Sequence, residues 1–265
     1  MEVFFLRLSA LIALIPAALI VFRPAPRRDL VFWSVLAVAL VGTLAWVYVR
    51  QSAGWSTGIS TALWLTIAAC LIIFALVSAI TDNAWRLTPL LLPYLLVLAI
   101  LATAWGQAPE KPLTGGAPLA WIGTHIAVSV ATYALITLAA VGSLAAAMQQ
   151  RAIKAKSRTA FSRMLPSVAD SEKLVVRLLL ASAIVLALGL LTGMATQFLE
   201  TGHLVLFDHK TTFAFAVFAV LVILLFLHFR TGLRGRATTR AVLLAYLLLT
   251  LGYPGVKFVT DILLA

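Results

Sequence analysis

Four histidines, His125, His203, His209 and His228, are the side chains of this chain whose chemistry stands out from their surroundings. His125 and His209 lie near the starts of two long apolar runs. An ionisable group at membrane depth is costly, and by default it marks a site facing the bundle interior. Imidazole is also a common axial ligand of haem iron, and two such rings on different helices, level with one another, could hold one iron between them. The competing reading is that His125 bonds a neighbouring helix and His209 is merely interfacial. The pattern alone leaves both open. His125, Ser129 and Thr132 share one helical face, as do His209, Thr212 and Ala216. Hydroxyls on such faces can orient an imidazole's second nitrogen, and small residues let helices approach closely.

His203 falls in the short loop before His209. His228 lies nineteen residues beyond His209, about 28 Å further along a helix at 1.5 Å per residue, so one haem cannot use both. His228 reads as interfacial beside Arg230, with a second haem there as the alternative. Propionates of a haem between His125 and His209 would need cations, and Lys210 and Lys257 are the nearest candidates; snorkelling to the interface explains these lysines equally well. The run Gly189-Leu-Leu-Thr-Gly193 suggests close helix packing at the same level, with Met194 beside it as core. Trp55, Trp105 and Trp121 read first as interfacial anchors.

The elements that must position these residues are membrane helices. Of 265 residues, 63% are hydrophobic and 11% charged, too few charges to coat a globule of this length. The apolar residues form runs of about twenty, the length that crosses a ~30 Å hydrocarbon core. About eight spans are predicted: residues 3–22, 30–49, 59–80, 87–104, 121–149, 174–198, 210–229 and 241–264. Pro89 and Pro93 predict a kink near the start of the fourth. Three prolines and three glycines between Gly106 and Pro118 predict a loop, and Ser167 or Asp170 a cap for the sixth span. The whole chain, 1–265, reads as a single transmembrane helical domain of the all-α polytopic class.

Lysine and arginine cluster in the loops after spans one, three, five and seven, whereas the loops after two, four and six hold little beyond Lys111. The positive-inside rule then predicts N-out, C-out, with an uncleaved first span and His125, His203 and His209 on the outer side. The same topology accounts for the net charge of +11 without nucleic acid as a partner. The lone Cys70 lies in an apolar run, and neither C-x-x-C nor C-x-x-C-H occurs, which excludes dithiol redox chemistry and covalent c-type haem attachment. No H-E-x-x-H, G-x-S-x-G, Walker A or Rossmann fingerprint is present, so no catalytic residue is assigned. Carboxylates fall at span borders or in loops, which counts against a proton- or sodium-coupled transporter.

Three stretches carry a resemblance: Trp121 to Lys154, Asp208 to Ala237, and the tail LGYPGVKFV from Leu251 to Val259. In them the chain resembles the bacterial cytochrome c assembly family, which contains CcsA, CcmC and the HemX- and YpjD-like proteins. The resemblance covers roughly the C-terminal 60%; the first four spans match in number and length. It implies a haem-handling protein of the bacterial inner membrane, embedded in lipid, with His125 and His209 matching the family's two outward-facing haem ligands. The cofactor implied is a non-covalent haem b, and the implied partners are proteins of cytochrome c or haem biogenesis. A tryptophan-rich WWD loop is missing, which places the chain nearest the short YpjD/HemX-like branch and argues for an accessory protein over a haem lyase. A permease without haem and a quinone-linked dihaem electron carrier are the competing expectations.

Overall fold

The computed structural model describes residues 2–23, 27–52, 56–108, 111–112, 118–157, 159–204, 206, 208–233, 235–259 and 262. Ten α-helices follow one another among them: α1 Glu2–Leu19, α2 Leu30–Ser52, α3 Ile59–Ile80, α4 Thr88–Ala104, α5 Leu119–Lys154, α6 Ala160–Met164, α7 Val168–Thr201, α8 His209–Thr231, α9 Arg236–Thr250 and α10 Val256–Phe258. Eight segments are long and apolar enough to cross a membrane, matching the eight predicted spans in order. Short 3₁₀ turns close α1 (Ile20–Phe22) and open α4 (Ala84–Leu87). Pro89 stands in the first turn of α4, where a missing N–H costs nothing.

The largest departures from the sequence reading are in α5 and α7. These run for 36 and 34 residues, well past the apolar stretches that predicted them. The α5 extension, Gln149 to Lys154, is built of good helix formers that need no lipid to stay helical. The α7 extension starts at Val168 because Ser167 caps it, its hydroxyl accepting from the Asp170 N–H at 3.1 Å. Between them Gln149 clips the connection to α5, its side-chain amide donating to the carbonyls of Ser162 and Leu165 at 2.6 and 3.1 Å. The last span is not one α-helix either. A π-helical turn, Leu251–Gly255, carries Pro254 between α9 and α10.

Spans cross in alternation, so the loops fall into two sets. The basic loops after spans one, three, five and seven lie at one end, here the basic end. At the other, the histidine end, Ser56–Thr57 pairs antiparallel with Lys111–Pro112, joining the loops after spans two and four. The predicted Gly106–Pro118 loop is thus partly an edge-to-edge backbone contact. α1 packs against α2 and α4, and α3 joins this half to α5. In the other half α5 lies along α7 for much of its length; α8 packs on α7 and α9, and α5 also packs on α9. α5 and α8 therefore stand at opposite corners of a four-helix group. Mid-span, the Tyr94 and Tyr246 hydroxyls bond one another and the Tyr133 hydroxyl meets Thr250 at 3.0 Å, tying α4, α5 and α9.

Candidate haem-handling site

His125 sits less than two turns into α5 and is half-buried against the far part of α7. Its Nδ1 lies 3.1 Å from the Thr192 hydroxyl. That hydroxyl also lies 3.1 Å from the Gly189 carbonyl of its own helix, so it can donate there while accepting from the ring. A neutral imidazole protonated on Nδ1 keeps its lone pair on Nε2, the form a metal ligand requires. One turn before His125, the Trp121 indole N–H donates to the Thr192 carbonyl at 3.3 Å. Residue 192 is thereby engaged through both its backbone and its side chain.

The two glycines flanking Thr192 have different neighbours. A Cβ at Gly189 would meet Val128 at 3.4 Å, an ordinary helix contact, whereas one at Gly193 would lie 2.9 Å from Cε1 of His125. The two glycines of the Gly-Leu-Leu-Thr-Gly run thus differ: a Cβ would be accommodated at Gly189, whereas Gly193 leaves room for the ring. The hydroxyl partner is on α7 and not on the face His125 shares with Ser129 and Thr132. Ser129 is exposed, and the Thr132 hydroxyl donates to the Val128 carbonyl of its own helix at 2.9 Å.

His209 is the first residue of α8, whose N-terminus is fixed by Asp208; the Asp208 carboxylate accepts from the Thr211 N–H at 2.7 Å. The side chains of His209 and Lys210 lie outside the described residues. α8 is positioned from behind by the π turn, where a Cβ on Gly252 would stand 2.7 Å from that of Phe213. Lys257 follows in α10, half-buried, and its neighbour Phe258 packs on Trp105 with ring centroids 5.2 Å apart. Trp105, expected as an interfacial anchor, is thus also a packing residue, and Trp55 lies outside the described residues.

His203 is exposed in the loop between α7 and α8. His228 lies at the basic end, its Nδ1 3.0 Å from the Leu233 carbonyl and its ring edge-on to Phe229. Among the described residues no three of His, Cys, Asp and Glu gather as a metal cage. Cys70 is buried, as its apolar run predicted.

The sequence reading passed over three residues. Thr192 was legible only as part of a packing run, and Gly193 only as a small residue. Arg7 had a signal of its own, a cation inside an apolar span. It is 7% exposed, and its guanidinium fills the space beside Gly106, where a Cβ would fall 1.2 Å from Nη1.

The fold defines a polytopic membrane protein, and near one end of its bundle a half-buried imidazole is held against a hydroxyl of another helix. The chain belongs to the cytochrome c assembly family: a family model described as cytochrome C assembly protein matches residues 29–264. It is also 53% identical over 262 residues, 97% of each chain, to a protein of Azospirillum brasilense described as an uncharacterized 28.8 kDa protein in the nifR3-like 5′ region. The family supports a role in haem handling or cytochrome c biogenesis, carried out by a multi-pass protein in contact with lipid.

Proposed function

We propose that this protein holds a non-covalent haem b near the outer face of a bacterial inner membrane, with His125 and His209 as axial ligands. It would act as an accessory of the YpjD/HemX-like kind, passing haem to or from other biogenesis proteins. The observation that supports the reading is the contact of His125 Nδ1 with the Thr192 hydroxyl; with the hydrogen on Nδ1, Nε2 would be the ligand nitrogen. The opposite corners occupied by α5 and α8 fit a flat macrocycle held between them. His125 and His209 would hold the haem iron, which would supply a Lewis-acid centre when bound, and Lys210 and Lys257 would offer cations to the propionates.

Protein purified from haem-replete cells tests this. The wild type should show a low-spin haem spectrum. His125→Ala and His209→Ala should each remove or strongly weaken it, with added imidazole restoring part of it. His203→Ala and His228→Ala should leave it unchanged. A wild type without haem, or four variants all spectrally normal, overturns the reading. The outward placement is checked separately: a periplasm-active reporter should work after Ala265 and fail near Lys156.

A further inference from the structure

At the basic end, a shallow, open cleft lies between the end of α1, the start of α2, the turn before α4, and Met164 of α6. Three arginines from two loops converge on it: Arg23 and Arg27 after α1, and Arg86 before α4. Its walls are apolar, with Ile20, Phe32 and Trp85 among them, and the rings of Phe32 and Trp85 pack edge-on with centroids 6.3 Å apart.

The positive-inside rule asks only for a count of charges in a loop and is indifferent to where each guanidinium rests. Here two of the three are fixed. Arg23 Nη1 lies 2.9 and 2.7 Å from the two carboxylate oxygens of Asp29, which in turn accepts from the Phe32 N–H at 3.1 Å. Arg86 stands over the Trp85 ring, 5.4 Å from its centroid. The neighbouring Arg28 is turned away, donating to the carbonyls of Ser78 and Thr81 at the end of α3. With Asp29 offsetting one charge, the cleft keeps an excess of two positive charges above an apolar wall.

A guanidinium fork recognises phosphate oxygens, and basic pockets between membrane helices at this level bind anionic headgroups. We infer that this cleft binds an anionic phospholipid, its phosphate on Arg27 and Arg86 and an acyl chain along Ile20 and Trp85.

The test uses the full chain in nanodiscs of phosphatidylcholine doped with phosphatidylglycerol or cardiolipin, with retained lipid counted by native mass spectrometry. The wild type should retain the anionic lipid in preference to phosphatidylcholine, and an excess of inorganic phosphate should not displace it. Arg27→Gln should lower retention about five-fold and Arg27→Gln/Arg86→Gln further, by about that factor again. Arg151→Gln/Lys154→Gln removes equal charge outside the cleft and should change nothing. Arg27 is exposed, so its single variant serves if the double variant misassembles. Equal retention of the neutral lipid, equal loss in the control, or displacement by phosphate alone each overturns the assignment.

Discussion

At the histidine end, Nδ1 of His125 reaches a hydroxyl on another helix, 67 residues away in sequence. At the basic end, Nδ1 of His228 reaches the Leu233 carbonyl, five residues on. In both rings the same nitrogen is occupied, yet the bonds have different consequences. The second closes the end of its own helix: the Gly232 N–H bonds the His228 carbonyl at 3.0 Å with Gly232 at φ +67°, and the imidazole caps the turn that follows. The first bond has no such local use. It depends on α5 and α7 being packed together, and it sets a ring that nothing in α5 itself would orient. A histidine's bonding pattern is therefore informative only once the sequence distance of its partner is known.

The sharpest way to break this contrast is at the glycines. Gly193→Ala places a methyl against the His125 ring, which must turn away, and haem affinity should fall by more than about ten-fold, the scale on which a metal ligand responds to its supporting groups. Gly189→Ala, which meets Val128 at 3.4 Å, should keep most of the haem. Titration of haem into purified protein separates the two, and comparable losses would show that helix spacing matters and ring space does not. Thr192→Val removes only the orienting hydroxyl, and a loss of about ten-fold is expected, with Thr192→Ser close to wild type. If valine binds haem as well as serine does, the ring needs no orienting partner. His228→Ala should leave the haem spectrum intact and cost about 1 kcal/mol of stability for the lost cap bond, read as a lower melting temperature in detergent.

The smallest effect concerns Asp29. The Phe32 N–H and then the Arg23 guanidinium hold its carboxyl below the usual carboxylate range. A group lowered in the folded state stabilises fully above its ordinary value and loses that contribution as pH falls through the lowered one. Asp29→Asn should therefore flatten the loss of melting temperature below about pH 4 while leaving haem binding untouched. An unchanged acid limb would mean that the Arg23–Asp29 pair adds nothing to stability.

The eight spans were legible because lipid demands about twenty apolar residues in a row whatever the fold, and the Ser167 cap because its signal is local. His125 was legible as a buried ionisable residue. Thr192 was not: hydroxyls at 129 and 132 on the same helix face were nearer in sequence, and only packing decides which hydroxyl meets the ring. The extra turns of α5 and α7 were missed for a related reason, since apolar periodicity stops at the membrane border and helical hydrogen bonding does not. The arginines around the cleft were read by number; their convergence needs two loops, far apart in sequence, brought together in space.

The length of the α5–α7 pair has a mechanical side. Thirty-six residues make a rod about 54 Å long, far longer than a ~30 Å hydrocarbon core. Along the rod the two helices are in contact, and the Gln149 clip stiffens its basic end. The pair therefore runs well past the hydrocarbon, and one uninterrupted length of α5 carries both the Gln149 clip and the His125 contact with Thr192.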